Sequence, residues 1–141
     1  MAENDLAYGD TSAGTFSPTQ LITADFPPAT TATAKVLDGQ TLAQYEIVAF
    51  DVNNKLVVWD PTAVTDIDAS ADTANVPAPQ AYPVGIMAYE CNPSGADGDG
   101  IYYSSGVFNP DLLGWPASID TLAERKAAFS RTMIQIRELV G

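Results

Sequence analysis

The sequence predicts an α+β domain that is mostly β, with short strands, one short C-terminal helix, long loops and an extended N-terminal arm. Four stretches between residues 44 and 109 are rich in β-branched and aromatic residues and are bounded by turn-forming residues. One helical pattern, opened by a capping sequence, follows near the C-terminus. The length of 141 residues favours a single domain with a buried core.

Residues 1–26 are interpreted as a flexible N-terminal arm and residues 27–141 as one body, whose folded part is expected to begin near Lys35. The arm is rich in Thr, Ala, Ser, Pro and Gly, and Pro27 and Pro28 exclude a helix at its end. Two interpretations stay open: a solvated tail, or a docking arm that adds a strand to the sheet of a partner. The docking interpretation rests on one stretch that contains apolar residues, formed by Thr15, Phe16, Ser17, Pro18, Thr19, Gln20, Leu21 and Ile22.

The strands of the body are predicted in order. "QYEIVAF" (44–50) and "KLVVWD" (55–60) form a hairpin with Asn53 and Asn54 at its tip, because Asn tolerates a positive φ. "YPVGIMAYEC" (82–91) is a third strand, and "IYYSSGVFN" (101–109) returns antiparallel to it.

Two loops separate these strands, the acidic Ala/Pro-rich residues 61–82 and the Gly-rich turn 92–100. Their aspartates suggest calcium, but the spacing lacks the Gly and the distant Glu of an EF-hand loop. Solvated loops are therefore favoured, and no metal or other cofactor is predicted. The aspartates in question are Asp66, Asp68, Asp72, Asp97 and Asp99.

The last third contains the helix and a final strand. Thr121 and Glu124 fit a capping box, and Leu122 and Phe129 lie seven residues apart, which predicts a core-facing stripe that Ile119 and Met133 could extend. Arg125 and Arg131 are expected to face solvent. The alternation in "TMIQIREL" predicts a strand with one wet face.

Composition excludes several classes of function. The net charge is −12, which argues against nucleic acid as a direct partner. The sequence contains no histidine and a single cysteine, Cys91, so Ser-His and Cys-His nucleophile pairs and an intrachain disulfide are impossible. No apolar run is long enough to predict a membrane span, and no glycine-rich phosphate loop is present. No enzyme activity is predicted.

The C-terminal stretch "LLGWPASIDTLAERKAAFSRTMIQI" resembles the end of the head decoration protein family of tailed phages. That family combines a Trp-Pro element, a short basic helix and a final Ile-x-Ile strand, which are matched here by 115–116, 125–129 and 134–136. Further blocks resemble the family in the same order: "PPATTATA", "NNKLVVWD", "YPVGIMAYE" and "YYSSGVFN". The resemblance covers about residues 27–136, whereas the arm before Pro27 does not match closely.

The resemblance implies a homotrimer that caps three-fold and quasi-three-fold positions on the outside of the expanded head and stabilises it against packaged DNA. The arm would order against the major capsid protein, after a period in the host cytoplasm during assembly. The residues expected to anchor the body or the trimer are Trp59, Trp115, Pro116 and Phe129. The alternative function is a virion surface adhesin that binds glycans or host cells through residues 61–82 and 92–100.

Overall fold

The structure, a computed structural model, describes residues 20–24, 26–65 and 76–138. These residues form nine strands, one α-helix and two 3-10 turns, the turns at Pro79–Ala81 and Pro110–Leu112. The helix α1 spans Leu122–Ala128. The strands are β1 Ile22–Ala24, β2 Thr30–Val36, β3 Ile47–Phe50, β4 Leu56–Val58, β5 Val64–Thr65, β6 Val76–Pro77, β7 Pro83–Met87, β8 Gly98–Phe108 and β9 Met133–Ile136. The predicted α+β fold, mostly β with one short helix, is confirmed.

Five strands close into a small barrel. They pair in the order β8, β2, β4, β3 and β7, and β7 pairs back onto β8. The closure depends on β8, which is 11 residues long and pairs with four neighbours. Beyond the barrel, the last residues of β8 pair with β1 antiparallel and with β9 parallel. Strands β5 and β6 form a separate two-stranded sheet.

The barrel interior holds one of two hydrophobic clusters. Along β2 the side chains alternate, since Ala32, Ala34 and Val36 pack inward while the Thr and Lys residues between them are exposed. The buried members of this cluster are Val36, Leu42, Val48, Leu56, Met87 and Tyr102. Gly85 leaves the space that the Tyr102 ring occupies, because a Cβ there would collide with the ring and with the Tyr103 carbonyl.

The second cluster lies outside the barrel wall. It contains residues from β3, β7 and β8 together with the C-terminal segment that covers them. Its buried members are Ile47, Ala49, Trp59, Ile86, Phe108, Leu113, Phe129, Ile134 and Ile136. The C-terminal third of the chain is therefore part of the core and not an appendage.

The predicted hairpins are confirmed. Strands β3 and β4 pair antiparallel, and Asn54 at their turn has a φ of 61°. The Asp51 side chain stabilises this turn by accepting hydrogen bonds from the N–H groups of Asn53 at 2.8 Å and Lys55 at 3.0 Å. Strands β7 and β8 pair antiparallel as expected. Strand β9 has the predicted wet face, since Ile134 and Ile136 are buried and the two residues beside them are exposed.

Two expectations were wrong, and a third was right only in part. Regular strands begin well before Lys35, since β1 starts at Ile22 and β2 at Thr30. The helical stripe faces the core only in part, since Ile119 and Phe129 pack in the outer cluster, whereas Leu122 is 36% exposed and Met133 is 66% exposed. No residue within α1 is fully buried, and the core contact comes from the half-buried Ala128 and from Phe129 immediately after the helix. Arg125 does not point to solvent but is half-buried against an aromatic ring.

No helix in the described ranges has the length and apolar character needed to cross a membrane.

Candidate assembly surfaces

Trp115 is the centre of an aromatic cluster that fixes the C-terminal segment to the body. Its ring meets Trp59 and Phe129 edge to face, with centroids 6.3 and 5.9 Å apart. Its Nε1–H donates to the Pro110 carbonyl at 2.8 Å, and the Trp59 Nε1–H donates to the Ala81 carbonyl at 2.9 Å. Trp59 and Phe129 are buried, whereas Trp115 and Pro116 are half-buried. The structure thus brings together all four residues that the resemblance singled out.

Of the predicted arm residues 15–22, the structure describes those from Gln20 onward. Residues 15–19 lie outside the described part of the chain, while Gln20 is exposed and donates from its side chain to the Ile22 carbonyl at 2.6 Å. Leu21 and Ile22 are half-buried against the outer core cluster. The Leu21 carbonyl accepts from the Asn109 N–H at 2.7 Å, which ties this end of the arm to the end of β8.

Strand β1 lies at an edge of the sheet. Among the described strands it pairs with β8 alone. The Thr23 hydroxyl donates to the Arg137 carbonyl at 3.1 Å, which brings β1 close to the end of β9. Gln20, the first described residue, therefore leads into a strand at the edge of the described sheet.

A groove of about 610 Å³ lies between β4 and the segment that follows Trp115; we name it the acidic groove. Trp59, Pro61 and Pro116 form apolar parts of its wall, and its lining includes two carboxylates and no basic residue. The lining residues are Leu37, Gln40, Asp51, Val57, Val58, Trp59, Asp60, Pro61, Thr62, Ala63, Gln80, Pro116 and Ser118.

The polar groups of the acidic groove differ in their exposure and in the hydrogen bonds that they already make. Asp51 is buried and engaged by the β3–β4 turn. Asp60 is exposed and accepts from the Thr62 N–H and hydroxyl at 3.0 and 2.8 Å. The buried Oε1 of Gln80 accepts no hydrogen bond within the structure, although acceptors in proteins are usually paired. Asp60 and Gln80 are held together, since the Asp60 N–H donates to the Gln80 carbonyl at 3.0 Å.

A second groove of about 430 Å³ runs between the end of α1 and β9; we name it the basic groove. Its charged lining residues are Lys126 and Arg137, and its lining contains no acid. Strand β9 pairs with β8 alone among the described strands. The lining residues are Lys126, Phe129, Ser130, Thr132, Ile134, Gln135, Ile136 and Arg137.

The six basic residues fall into two groups. Lys35 pairs with Asp99 and Lys55 with Asp97, each at 2.6 Å. The other four have no carboxylate partner within the described ranges, and all lie in the C-terminal third: Arg125, Lys126, Arg131 and Arg137. The guanidinium groups of two of these stack on rings, Arg125 over Trp115 at 5.1 Å and Arg131 over Tyr82 at 4.7 Å.

The turn 92–100 is tied to the barrel and not free. Asp97 accepts from the Asp38 N–H at 2.9 Å, and the Asp38 carboxylate accepts from the Gly95 N–H at 2.8 Å. The hydrogen bond from the Lys55 ammonium, followed by the one from the Asp38 N–H, lowers the pKa of Asp97. Within the part of the chain that the structure covers, no three acids or cysteines are grouped to hold a metal ion. Asp66, Asp68 and Asp72 lie outside that part.

Two other carboxyl groups have shifted pKa values. Burial raises the pKa of Glu46, which faces Gly114 beside the aromatic cluster. Hydrogen bonds from the N–H groups of Thr121 and Asp120 lower the pKa of Glu124, because Glu124 completes the predicted capping box. The predicted capping box is therefore confirmed, since the side chains of Thr121 and Glu124 each accept a hydrogen bond from the backbone N–H of the other residue.

Sequence reasoning missed the two grooves and both ion pairs of the barrel. Lys55 and Asp97 lie on different hairpins, and no local pattern indicates that they meet. The acidic groove had one weak signal, the acid that follows Trp59 at the end of a strand pattern.

A comparison with protein families gives a match to the bacteriophage lambda head decoration protein D over residues 12–136. The match covers the barrel, the aromatic cluster and the segment that leads into β1. No curated protein matches the sequence. Because the family match spans most of the sequence, the chain belongs to the bacteriophage lambda head decoration protein D family.

Proposed function

We propose that the protein binds as a homotrimer at three-fold and quasi-three-fold positions on the outside of the expanded phage head and stabilises it against the pressure of packaged DNA. The family supports a role in capsid decoration in the virion, which is structural and not enzymatic. The partner is the major capsid protein.

The family match over residues 12–136 carries the proposal, because it includes both the body and the residues that precede β1. Decoration requires a compact body and a means of holding it on the shell. A match that covers both parts supports a common mode of attachment.

The arm is proposed as the contact with the capsid, through Thr15–Ile22. Leu21 and Ile22 pack against the core of their own body, so they fix the base of the arm. The residues from Thr15 to Gln20 then carry the contact, with Phe16 as its large apolar side chain. An extended segment that adds a strand to a partner's sheet gains main-chain hydrogen bonds and places alternate side chains in pockets.

Three arms on one trimer make this contact effective. Ordering an arm costs about 1–2 kcal/mol per residue in backbone entropy, so a single arm binds weakly. Once one arm of a trimer is bound, the others bind at a high effective concentration. We propose the aromatic cluster of Trp59, Trp115, Pro116 and Phe129 as the rigid base that keeps the three bodies in register.

The charge of the protein supports a position on the exterior of the head. A chain of net charge −12 stays soluble and is repelled by DNA, so it does not compete with the packaged genome for binding. The same charge makes copies of the protein repel one another, so the contacts that hold the trimer must offset this repulsion.

The proposal is tested by co-sedimentation with expanded heads that lack this protein. Three chains are compared: the full chain, a truncation lacking residues 1–19, and a truncation lacking residues 1–10. The first truncation removes Thr15–Thr19 but keeps β1, whereas a cut after residue 26 would also remove a strand that packs on the core. We expect the full chain and the shorter truncation to saturate the heads, and the longer truncation to lose binding.

Two further measurements complete the test. A reconstruction of saturated heads should show three-fold density at three-fold and quasi-three-fold positions, and decorated heads should retain DNA at higher temperature than bare heads. If the full chain does not bind, capsid decoration by this protein is wrong, and the adhesin alternative through residues 61–82 and 92–100 becomes the next to test.

A further inference from the structure

We propose that the acidic groove of one copy and the basic groove of its neighbour are the two halves of the contact that closes the trimer. This inference rests on the trimer of the proposed function and names its interface. The occupant of each groove is a second copy of this chain. Asp60 is the exposed carboxylate of one half, and Lys126 and Arg137 are the cations of the other.

Ring symmetry demands two different surfaces. In a ring of three identical copies, each contact joins one patch of a copy to a different patch of the next copy. A patch that met only itself would close a dimer. The two grooves share no lining residue and have charges of opposite sign, so they satisfy this requirement.

The distribution of charge favours this pairing over other surfaces. Copies with a net charge of −12 repel one another unless their contact brings opposite charges together. Lys35 and Lys55 are already neutralised within the chain by Asp99 and Asp97. Lys126 and Arg137 have no carboxylate partner in the described residues, and they line the same groove. Asp60 has no basic partner there either.

The shape and chemistry of the acidic groove suit a long cationic side chain. Trp59 and Pro116 offer an apolar wall for the methylene stem of an arginine or lysine. Asp60 is an exposed carboxylate, which has two acceptor oxygens. A guanidinium can donate two parallel hydrogen bonds to a carboxylate, so Arg137 is the more suitable of the two cations.

Charge reversal with rescue tests the inference. The oligomeric state of the full chain is measured by sedimentation equilibrium at several protein concentrations. We expect Asp60→Lys alone, and Lys126→Glu with Arg137→Glu, each to weaken trimer association about tenfold or more. Combining all three substitutions restores opposite charges across the contact, so we expect trimer association to recover. Asp111→Lys is the matched control for Asp60→Lys, since Asp111 is exposed, lines neither groove, and its substitution changes the net charge by the same amount as Asp60→Lys.

A second variant separates folding from association. Asp60→Asn retains an acceptor for Thr62 while it removes the charge, and circular dichroism reports whether each variant keeps its fold. The inference is overturned if Asp60→Lys alone, or Lys126→Glu with Arg137→Glu, is folded and associates like the wild type. It is also overturned if the variant that combines all three substitutions stays dissociated. In both cases a trimeric wild type leaves the proposed function intact. If the free wild type is monomeric at every concentration, the same variants are compared for occupancy of expanded heads. Equal occupancy by the wild type and by each of the two charge-reversed variants then overturns this interface, whereas a wild type that does not occupy the heads overturns the proposed function.

Discussion

The guanidinium of Arg125 lies 5.1 Å from the centroid of the Trp115 ring. This contact covers one side of a tryptophan whose other neighbours are Trp59 and Phe129. The Arg125 Nε–H also donates to the Ile119 carbonyl at 3.4 Å. Helix α1 is therefore fastened to the body by a cation and by the phenylalanine after its end, since no residue within the helix is buried.

The Arg125→Met variant should be less stable than the wild type by about 0.5–1 kcal/mol, because methionine keeps an unbranched apolar stem but loses the cation over the ring. The measurement is urea unfolding followed by tryptophan fluorescence. Lys126→Met is the matched control, measured at protein concentrations where the chain is monomeric because Lys126 lies in the proposed trimer contact. It removes the same charge from the next residue, which is exposed and stacks on no ring. Equal losses in the two variants would show that net charge, and not the stacking, explains the effect.

The Gly85→Ala variant tests the packing of the barrel interior. A Cβ at this position would collide with the Tyr102 ring and the Tyr103 carbonyl, and a carbonyl cannot move without disturbing the strand. Overpacking of this kind costs about 1–3 kcal/mol in the free energy of unfolding. Gly114→Ala is the control, because its nearest neighbour is the flexible end of Glu46 at 3.3 Å. In thermal unfolding, the Gly85→Ala variant should have a clearly lower melting temperature than the Gly114→Ala variant. A Gly85→Ala protein as stable as the control would contradict this packing.

Local signals account for the elements that the sequence predicted correctly. The β3–β4 turn needs a residue that tolerates a positive φ, and Asn54 supplies it. The capping box is complete within four residues, from Thr121 to Glu124. The alternation of β9 is visible because its inward residues are both isoleucine. In each case the cause lies within a few residues of its effect.

The elements that were missed depend on distant parts of the chain. Strand β2 alternates with period 2, but two of its inward residues are the small Ala32 and Ala34, which give a weak hydrophobic signal. They are small because they face the crowded interior of a barrel whose closure joins β7 to β8. Leu122 and Met133, two members of the predicted stripe, are exposed for a related reason, since spacing alone does not decide which side of a seven-residue helix meets the body. The two grooves were missed for the same reason, because residues from distant parts of the chain line them.

Asp97 should contribute to the acid sensitivity of the fold. Its hydrogen bond from Lys55, and the one from the Asp38 N–H, lower its pKa in the folded state. This stabilisation is therefore complete above the unfolded pKa of about 3.9 and is lost as the pH falls through the lower folded value. We expect the free energy of unfolding of the Asp97→Asn variant to fall less than that of the wild type as the pH drops from about 5 towards 2.

Urea unfolding at a series of pH values measures this difference. Asp111→Asn is the control, because it removes a carboxylate that has no basic partner in the described residues. Parallel pH profiles for the wild type and the Asp97→Asn variant would contradict a role for this carboxylate in acid unfolding.

The charged form of Glu46 should destabilise the fold at neutral pH, whereas the charged form of Asp97 stabilises it. Burial raises its pKa, so the charged form is less favourable in the folded protein than in the unfolded chain. The resulting destabilisation is complete above the folded pKa, shrinks as the pH falls through that value, and vanishes below the unfolded pKa of about 4.3. The Glu46→Gln variant keeps the shape of the side chain without the charge, so it should be more stable than the wild type at pH 7 and equal to it near pH 3. Glu90→Gln, at an exposed position, controls for the loss of one negative charge from an acidic protein. If the two variants are stabilised equally at pH 7, the gain comes from lower overall repulsion and not from the burial of Glu46.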